Sequence, residues 1–291
     1  MTEASQASQP LQWKLFIRRR ASATQGTPAG KGELKWVANT STLIHGEQDA
    51  VLVDTFLSEA QTGELADWIA ASGRRLSTIY ITHAHPDHFF GLKLLLDRFP
   101  DARAIAPAKV VDAMQATLAP EAVENWRKIF PGQIPSGLVS AERLVGGTFD
   151  LEGHQFVPIY LGHTDTDHTT CLHVPCIGLV IAGDAIYNGT HPYLGESNRH
   201  GLTDWLAAIN KIEALNPLAV VVGHGPLEPD NSPRHIQETR GYIQDFIRLD
   251  DETRTALELY DRMLALYPDR INPGSLWGAA NAAKALRHAE A

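Results

Sequence analysis

Three histidines and an aspartate stand together in this chain: His83, His85, Asp87 and His88, in the run from Thr82 to His88. The residues before it, 76–81, are rich in β-branched and aromatic types and predict a strand. The residues after it, among them Phe89, Phe90, Leu92, Leu95, Leu96 and Phe99, mix apolar and polar positions and predict a helix. The cluster therefore sits at the carboxyl end of a strand, the edge where α/β proteins bind ligands. His83 and His85 are two apart, so on extended backbone their rings point to one side. Pro86 turns the chain, and Asp87 and His88 leave along another line. One ion does not easily accept all four side chains, whereas two neighbouring ions can share them. Imidazole nitrogen and carboxylate oxygen suit zinc, manganese or iron. The bland alternative is a histidine-rich surface loop at a helix start.

Composition narrows the classes. A chain of 291 residues can bury a sizeable core, as one large domain or a domain with an appendage. Its net charge of −9 repels phosphate backbones and anionic lipid, so neither nucleic acid nor a membrane is an expected partner. No apolar run is long enough to span a bilayer. The first ten residues are mostly polar and carry no secretory apolar core. Arg18, Arg19 and Arg20 follow a short apolar stretch and are read as a strand end. Cys171 and Cys176, five apart in one strand-like stretch, would face opposite sides and could not easily bridge. Nothing demands an oxidising compartment, and the cytoplasm is the expected location.

Along the chain, residues 1–10 are expected to be disordered, 11–17 a first strand and 21–32 a mobile loop. A hairpin follows, with arms at 36–44 and 50–55. Residues 58–72 predict a helix with Leu65, Trp68 and Ile69 on its apolar face. After a short strand at 104–106, residues 108–140 form a helical insertion punctuated by Pro120, Pro131 and Pro135. Strands are expected at 143–149, 155–161, 169–174, 178–182 and 218–222, with an amphipathic helix at 202–215. From about 233 the chain is helical. The expected division is a domain over 11–232 and a helical extension over 233–291 packed on it. Both halves run from strands to helices, which suggests two α/β layers packed sheet to sheet.

Three later strand ends carry further metal-seeking side chains: Gly162-His163-Thr164-Asp165-Thr166-Asp167-His168, Gly183-Asp184 and Gly223-His224-Gly225. Each is an apolar run ending in glycine and then a side chain with a lone pair. Alone, such a histidine is more often a hydrogen-bonded structural residue, and a Gly-Asp is more often a turn. Joined to the first cluster on the same kind of edge, they read as one site.

In this order, His-x-His-x-Asp-His, Gly-His-Thr, Gly-Asp and Gly-His-Gly, the motifs resemble the metallo-β-lactamase superfamily. The resemblance covers about residues 34–226 and reaches Asp54 in Leu52-Val53-Asp54-Thr55. It implies an αββα sandwich of two mixed sheets flanked by helices, with a dinuclear site between the sheet edges. Carried over, His83, His85 and His163 hold the first ion, Asp87, His88 and His224 the second, and Asp184 bridges. The implied ions are two zinc ions, with iron or manganese as alternatives. Asp54 and His168 are expected just behind the ligands. Many relatives have Thr-Pro-Gly-His after the third-ligand histidine, and this chain departs from that run. A bridging Asp184 points away from β-lactam hydrolysis and toward the glyoxalase II, lactonase and phosphodiesterase branches.

Two close ions bring the pKa of a shared water from about 15.7 to about 7, making hydroxide available to attack a carbonyl carbon or a phosphorus. Tyr187 is the expected donor to the developing oxyanion, as in the superfamily's lactonases, and Asp87 is expected to pass a proton to the leaving group. Phe89, Phe90, Tyr187, His191 and Tyr193 are the expected substrate contacts, with the 21–32 loop and the 108–140 insertion. The expected activity is hydrolysis of a small lactone, thioester or ester. The alternatives are a mononuclear iron persulfide dioxygenase of the same fold, a phosphodiesterase, or a binding protein that keeps the fold. The C-terminal helices could cover the site, form a homodimer contact or complete the core.

Overall fold

Alternation along the central strands explains the layers. In β3 (Asp49–Val53) Ala50 and Leu52 point to one side, and Val51 and Val53 to the other. In β4 (Arg75–Tyr80) Ile79 and Tyr80 divide in the same way. A strand buried on both faces needs a layer on each, and the computed structural model, which describes residues 10–24, 26–28 and 34–290, supplies both. The expected disorder of 1–10 falls, apart from Pro10, outside the described residues, as does part of the 21–32 loop.

The first sheet runs in the order β1-β2-β3-β4-β5-β6. β1 (Gln12–Ala21), β2 (Trp36–His45) and β3 are antiparallel neighbours, whereas β3, β4, β5 (Arg103–Ala106) and β6 (Glu142–Arg143) are parallel. The second sheet runs β11-β10-β9-β8-β7, where β7 is Phe149–Leu151, β8 His154–Gly162, β9 Thr169–Val174, β10 Leu179–Ile181 and β11 Ala219–Val221. Only β10 and β11 are parallel within it. Ile44, Val51, Val53 and Tyr80 of the first sheet share a buried layer with Leu172, Val174, Leu179, Ile181 and Val221 of the second.

On the outer face of the first sheet, Leu65 and Ile69 of α1 (Glu59–Ala71) pack with Leu92 and Leu95 of α3 (Leu92–Arg98) and Val110, Val111 and Met114 of α4 (Ala108–Thr117). On the outer face of the second, α6 (Arg199–Glu213) contributes Trp205, Ile209 and Ile212. Beside it α7 (Arg234–Glu252) contributes Tyr242, Ile243 and Phe246, and α8 (Ala256–Leu266) and α9 (Pro273–Glu290) complete the layer. The arrangement is the expected αββα sandwich.

Local departures have physical reasons. β1 continues through the three arginines because it is an edge strand, where long charged side chains are tolerated. Arg18 pairs with Glu64, Arg19 lies over the Trp36 ring, and Arg20 reaches Asp87. The insertion is helical only as far as α5 (Pro120–Ile129), because Pro131, Gly132 and Pro135 follow. The expected 143–149 strand divides into β6 and β7, since Gly146 and Gly147 take positive φ between them. Cys171 is buried and Cys176 exposed, and both are free thiols. Among the described residues no helix is long and apolar enough to cross a membrane.

Candidate metal centre

The metal-seeking side chains converge where the two sheets meet end to end. Thr170 N donates to Thr82 O, and Tyr80 and Thr170 share a hydroxyl bond of 2.8 Å, tying the end of β4 to the start of β9. Thr40 N donates to Gly223 O, tying β2 to the residue before His224. His83 and His85 leave β4 directly. Asp87 and His88 lie on the one-turn helix α2 (Pro86–Phe89), opened by the proline expected to turn the chain. Asp184 follows β10 in a single 3-10 turn, and His224 follows β11.

Two groups of ligand atoms result, each with its atoms within 4.8 Å of one another: His83, His85, Asp165 and Asp184, and Asp87, His88 and His224. Asp165 Oδ2 lies 2.8 Å from His85 Nδ1 and 3.4 Å from His83 Nε2. Asp184 spans both groups, with Oδ1 3.3 Å from His88 Nε2 and Oδ2 2.9 Å from His224 Nε2.

Each histidine's other ring nitrogen is held. His83 Nδ1 meets Thr82 Oγ1, His88 Nδ1 meets Asp54 Oδ2, His224 Nδ1 meets the Ala38 carbonyl, and His85 Nε2 meets Glu196. Thr82 Oγ1 spends its own proton on Asp54 Oδ2, so it accepts from His83 Nδ1–H. In the neutral ring this leaves a lone pair on His83 Nε2, facing Asp165 Oδ2. His88 Nε2 faces Asp184 Oδ1 at 3.3 Å, a gap that either a proton on the ring or a metal ion would bridge. His83 Nε2, His88 Nε2, Asp165 Oδ2 and Asp184 Oδ1 are all buried without a hydrogen-bond partner. Buried acceptors facing one another cost free energy unless a cation lies between them. The donor set fits metal ions, and Asp54 bonds Thr82 Oγ1 and His88 Nδ1 behind it.

The electrostatics agree with a cation site. Burial, helped by the neighbouring His88, pushes His83 down to about 4. Burial also opposes charge on His88 and Asp184, but Asp184 and Asp54 outweigh it at His88, and His224 and His88 outweigh it at Asp184. His88 is therefore held well above the usual histidine range and Asp184 well below the carboxylate range. Asp87 is also held low: burial opposes, and Arg20, His88 and His224 prevail. Its Oδ2 accepts from Arg20 Nη2 at 2.7 Å and Asn39 Nδ2 at 2.8 Å.

Several expectations are corrected. His163 lies outside both groups, its ring held between Asp167 Oδ1 and Ser197 Oγ, and Asp165 takes the place beside His83 and His85. His168 bonds the Tyr160 hydroxyl instead of a ligand. It adopts a left-handed φ of 62°. Glycine stands third after the histidine in the relatives' run, and His168 stands third after Asp165, so the loop's register favours Asp165. Phe89 and Phe90 are buried under the first sheet, and His191 is buried against Tyr242, because each has an apolar or hydroxyl neighbour that the local sequence does not reveal. Tyr187 lines the site but donates its hydroxyl to Asp184 Oδ2 at 3.1 Å.

Sequence reasoning misses Asp165, Arg20, Asn39 and Glu196. Asp165 is visible in its motif but overshadowed by the nearby histidine. The others arrive by long-range pairing and carry no local signal. Above the centre opens a cavity of about 330 Å³. Its apolar lining includes Val37, Trp126, Ile129 and Tyr193, and its polar lining Ser22, Thr24, Asn272 and Ser275.

Known proteins resemble this chain. Residues 34–224 match the family model described as the metallo-beta-lactamase superfamily. A hydroxyacylglutathione hydrolase from Francisella tularensis subsp. novicida is 32% identical over 77 residues, which are 25% of this chain and 29% of that protein. Among solved structures, a metallo-beta-lactamase from Pontibacter korlensis superposes with a TM-score of 0.59 at 17% identity, covering 80% of this chain and 99% of that one. A metallo-beta-lactamase family protein from Thermus thermophilus gives 0.61 at 21% identity, covering 95% of this chain and 94% of that one. At such identities the structures speak for the fold, and the family model, spanning well over half of the chain, places this protein in the metallo-beta-lactamase superfamily.

Proposed function

We propose that this protein is a metal-dependent hydrolase that holds two ions and cleaves a small ester-like bond: a lactone, a thioester or an ester. The observation that carries the reading is Asp184, one buried carboxylate placed between two groups of converging ligand atoms. His83, His85, Asp165 and Asp184 would hold one ion, and Asp87, His88, His224 and Asp184 the other. When bound, the pair would lower the pKa of a shared water and make hydroxide available at neutral pH. Zinc is the expected ion, and iron or manganese suits the same donors.

The protein's own groups have separable tasks. Asp54 and Thr82 fix which nitrogen His83 and His88 present. Arg20 and Asn39 hold Asp87 in place, and a carboxylate so paired gives up its charge reluctantly. This supports a holding role for Asp87 over proton delivery. Tyr187 already aims its hydroxyl into the site, and donating it to a carbonyl oxygen requires only that it leave Asp184. The mixed lining of the cavity suits a moderately apolar substrate with hydrogen-bonding groups. The partial likeness to a hydroxyacylglutathione hydrolase makes thioesters the first class to try.

The test is metal quantification on protein purified without added metal, followed by a panel of lactones, thioesters, esters and phosphodiesters. Two ions per chain and hydrolysis abolished by chelation or by Asp184→Asn are expected. Unchanged hydrolysis in Asp184→Asn ends this reading. One iron per chain with oxygen consumption would establish the persulfide dioxygenase alternative.

A further inference from the structure

We infer that Asp165, and not His163, closes the first ion position, making it a site of two histidines and two carboxylates. The inference rests on the metal-dependent reading above.

Asp165 is fully buried, and its two oxygens are unlike one another. Oδ1 accepts from Thr164 Oγ1 at 2.8 Å. Oδ2 has no hydrogen-bond partner, although it lies close to His85 Nδ1 and His83 Nε2. The opposite nitrogens of both rings are already engaged by Thr82 and Glu196. A bare carboxylate oxygen facing two imidazole nitrogens, with Asp184 beside them, is the arrangement a cation completes.

His163 is committed elsewhere. Its Nδ1 lies 2.7 Å from Asp167 Oδ1 and its Nε2 2.8 Å from Ser197 Oγ. Ser197 Oγ in turn donates to the Thr164 carbonyl at 3.0 Å. The ring lies against the first turn of α6, where only the missing side chain of Gly201 makes room: a β-carbon there would stand 2.7 Å from His163 Nε2. The chain of contacts from Asp167 through His163 and Ser197 ends on the residue before Asp165. His163 therefore braces the loop that presents Asp165, and it is a positioning residue.

The exchange changes the chemistry of the centre. An imidazole gives way to a carboxylate, so three carboxylates serve the two positions together: Asp87, Asp165 and Asp184. Oxygen donors shift relative preference away from zinc and toward manganese or iron. Arg20, paired with Asp87, supplies a compensating positive charge.

The experiment measures zinc and manganese binding to metal-stripped wild type, Asp165→Ala, Asp165→Asn and His163→Ala by calorimetric titration, with circular dichroism as the check on folding. Both Asp165 variants are expected to lose one equivalent, or at least about 100-fold in affinity for it, beyond the usual cost of an outer residue. His163→Ala is expected to keep both equivalents within about 10-fold and to melt earlier. Asp165→Asn preserves shape and decides the matter if Asp165→Ala does not fold. A loss in His163→Ala equal to or greater than that in the Asp165 variants overturns the inference. So does wild-type binding in both Asp165 variants. Wild type binding two ions with the ranking reversed defeats this inference alone. Wild type binding a single ion defeats the dinuclear reading while the ranking still decides between Asp165 and His163, and wild type binding none defeats both.

Discussion

At Gly223 a β-carbon would stand 2.1 Å from Asp184 Oδ1 and 2.9 Å from His88 Cε1. Neither neighbour can retreat, since Asp184 and His88 are buried in the centre. Gly223→Ala is therefore expected to cost most of the metal affinity while leaving the far-ultraviolet circular dichroism unchanged. Near-wild-type metal content in that variant would show that the centre is looser than its geometry. Asp54 carries a cost of a different kind. Its φ of 60° is strained for a non-glycine residue. The conformation persists because the carboxylate accepts from Thr82 N, Thr82 Oγ1 and His88. At this scale the sequence is legible where chemistry is concentrated. His83, His85, Asp87 and His88 announce themselves by type and spacing. Asp165 is not legible as a ligand, because the nearby His163 satisfies the motif by residue type. Only the hydrogen bonds reveal which of the two is free.

Elements decide what the centre can reach. Helix α5 brings Trp126 and Ile129 to the cavity, with Trp126 stacked on Phe130 at 6.1 Å between ring centroids. Neither residue belongs to the two groups of donor atoms, so the wall should act on binding and not on chemistry. Trp126→Ala is expected to raise KM about 10-fold or more for substrates with a long apolar chain and to leave kcat within about 3-fold. An equal loss in kcat would place Trp126 in the chemical step. The helical insertion follows from its periodicity, but its end comes from prolines and a glycine whose effect on length depends on the packing around them. The arginine run of β1 reads, in sequence, as a strand end. In the structure it is continuous strand, and its last member crosses to Asp87. No local pattern could show that, because the destination lies 67 positions away along the chain.

Across the whole molecule, the segment after Asp184 is locked to the C-terminal helices. His191 N donates to the Ile271 carbonyl, and His191 Nδ1 meets the Tyr242 hydroxyl of α7 at 2.8 Å. Arg270 donates to the Thr190 carbonyl and lies over the rings of Tyr242 and Tyr267. Burial, with a further push from Arg270, takes His191 down to about 3. Its folded pKa lies below its unfolded value, so the unfolded chain takes up this proton first as pH falls. Stability should then decline between roughly pH 6.5 and pH 3, with a limiting slope near 1.4 kcal/mol per pH unit from this one group. His191→Asn is expected to flatten that part of a denaturation-versus-pH curve. A curve parallel to wild type would remove His191 as the cause.

The sequence by itself determined the metal-seeking character of the centre, because a strand ending in ligand-type side chains is a local event, and the order of its motifs implied the αββα class through resemblance to a family. Only the tertiary structure decided which of two neighbouring side chains joins the converging donor atoms, which arginine enters the site and which aromatics line the cavity instead of the core. Those outcomes depend on which partner first satisfies each buried polar group, and the partners come from strands and helices far apart along the chain.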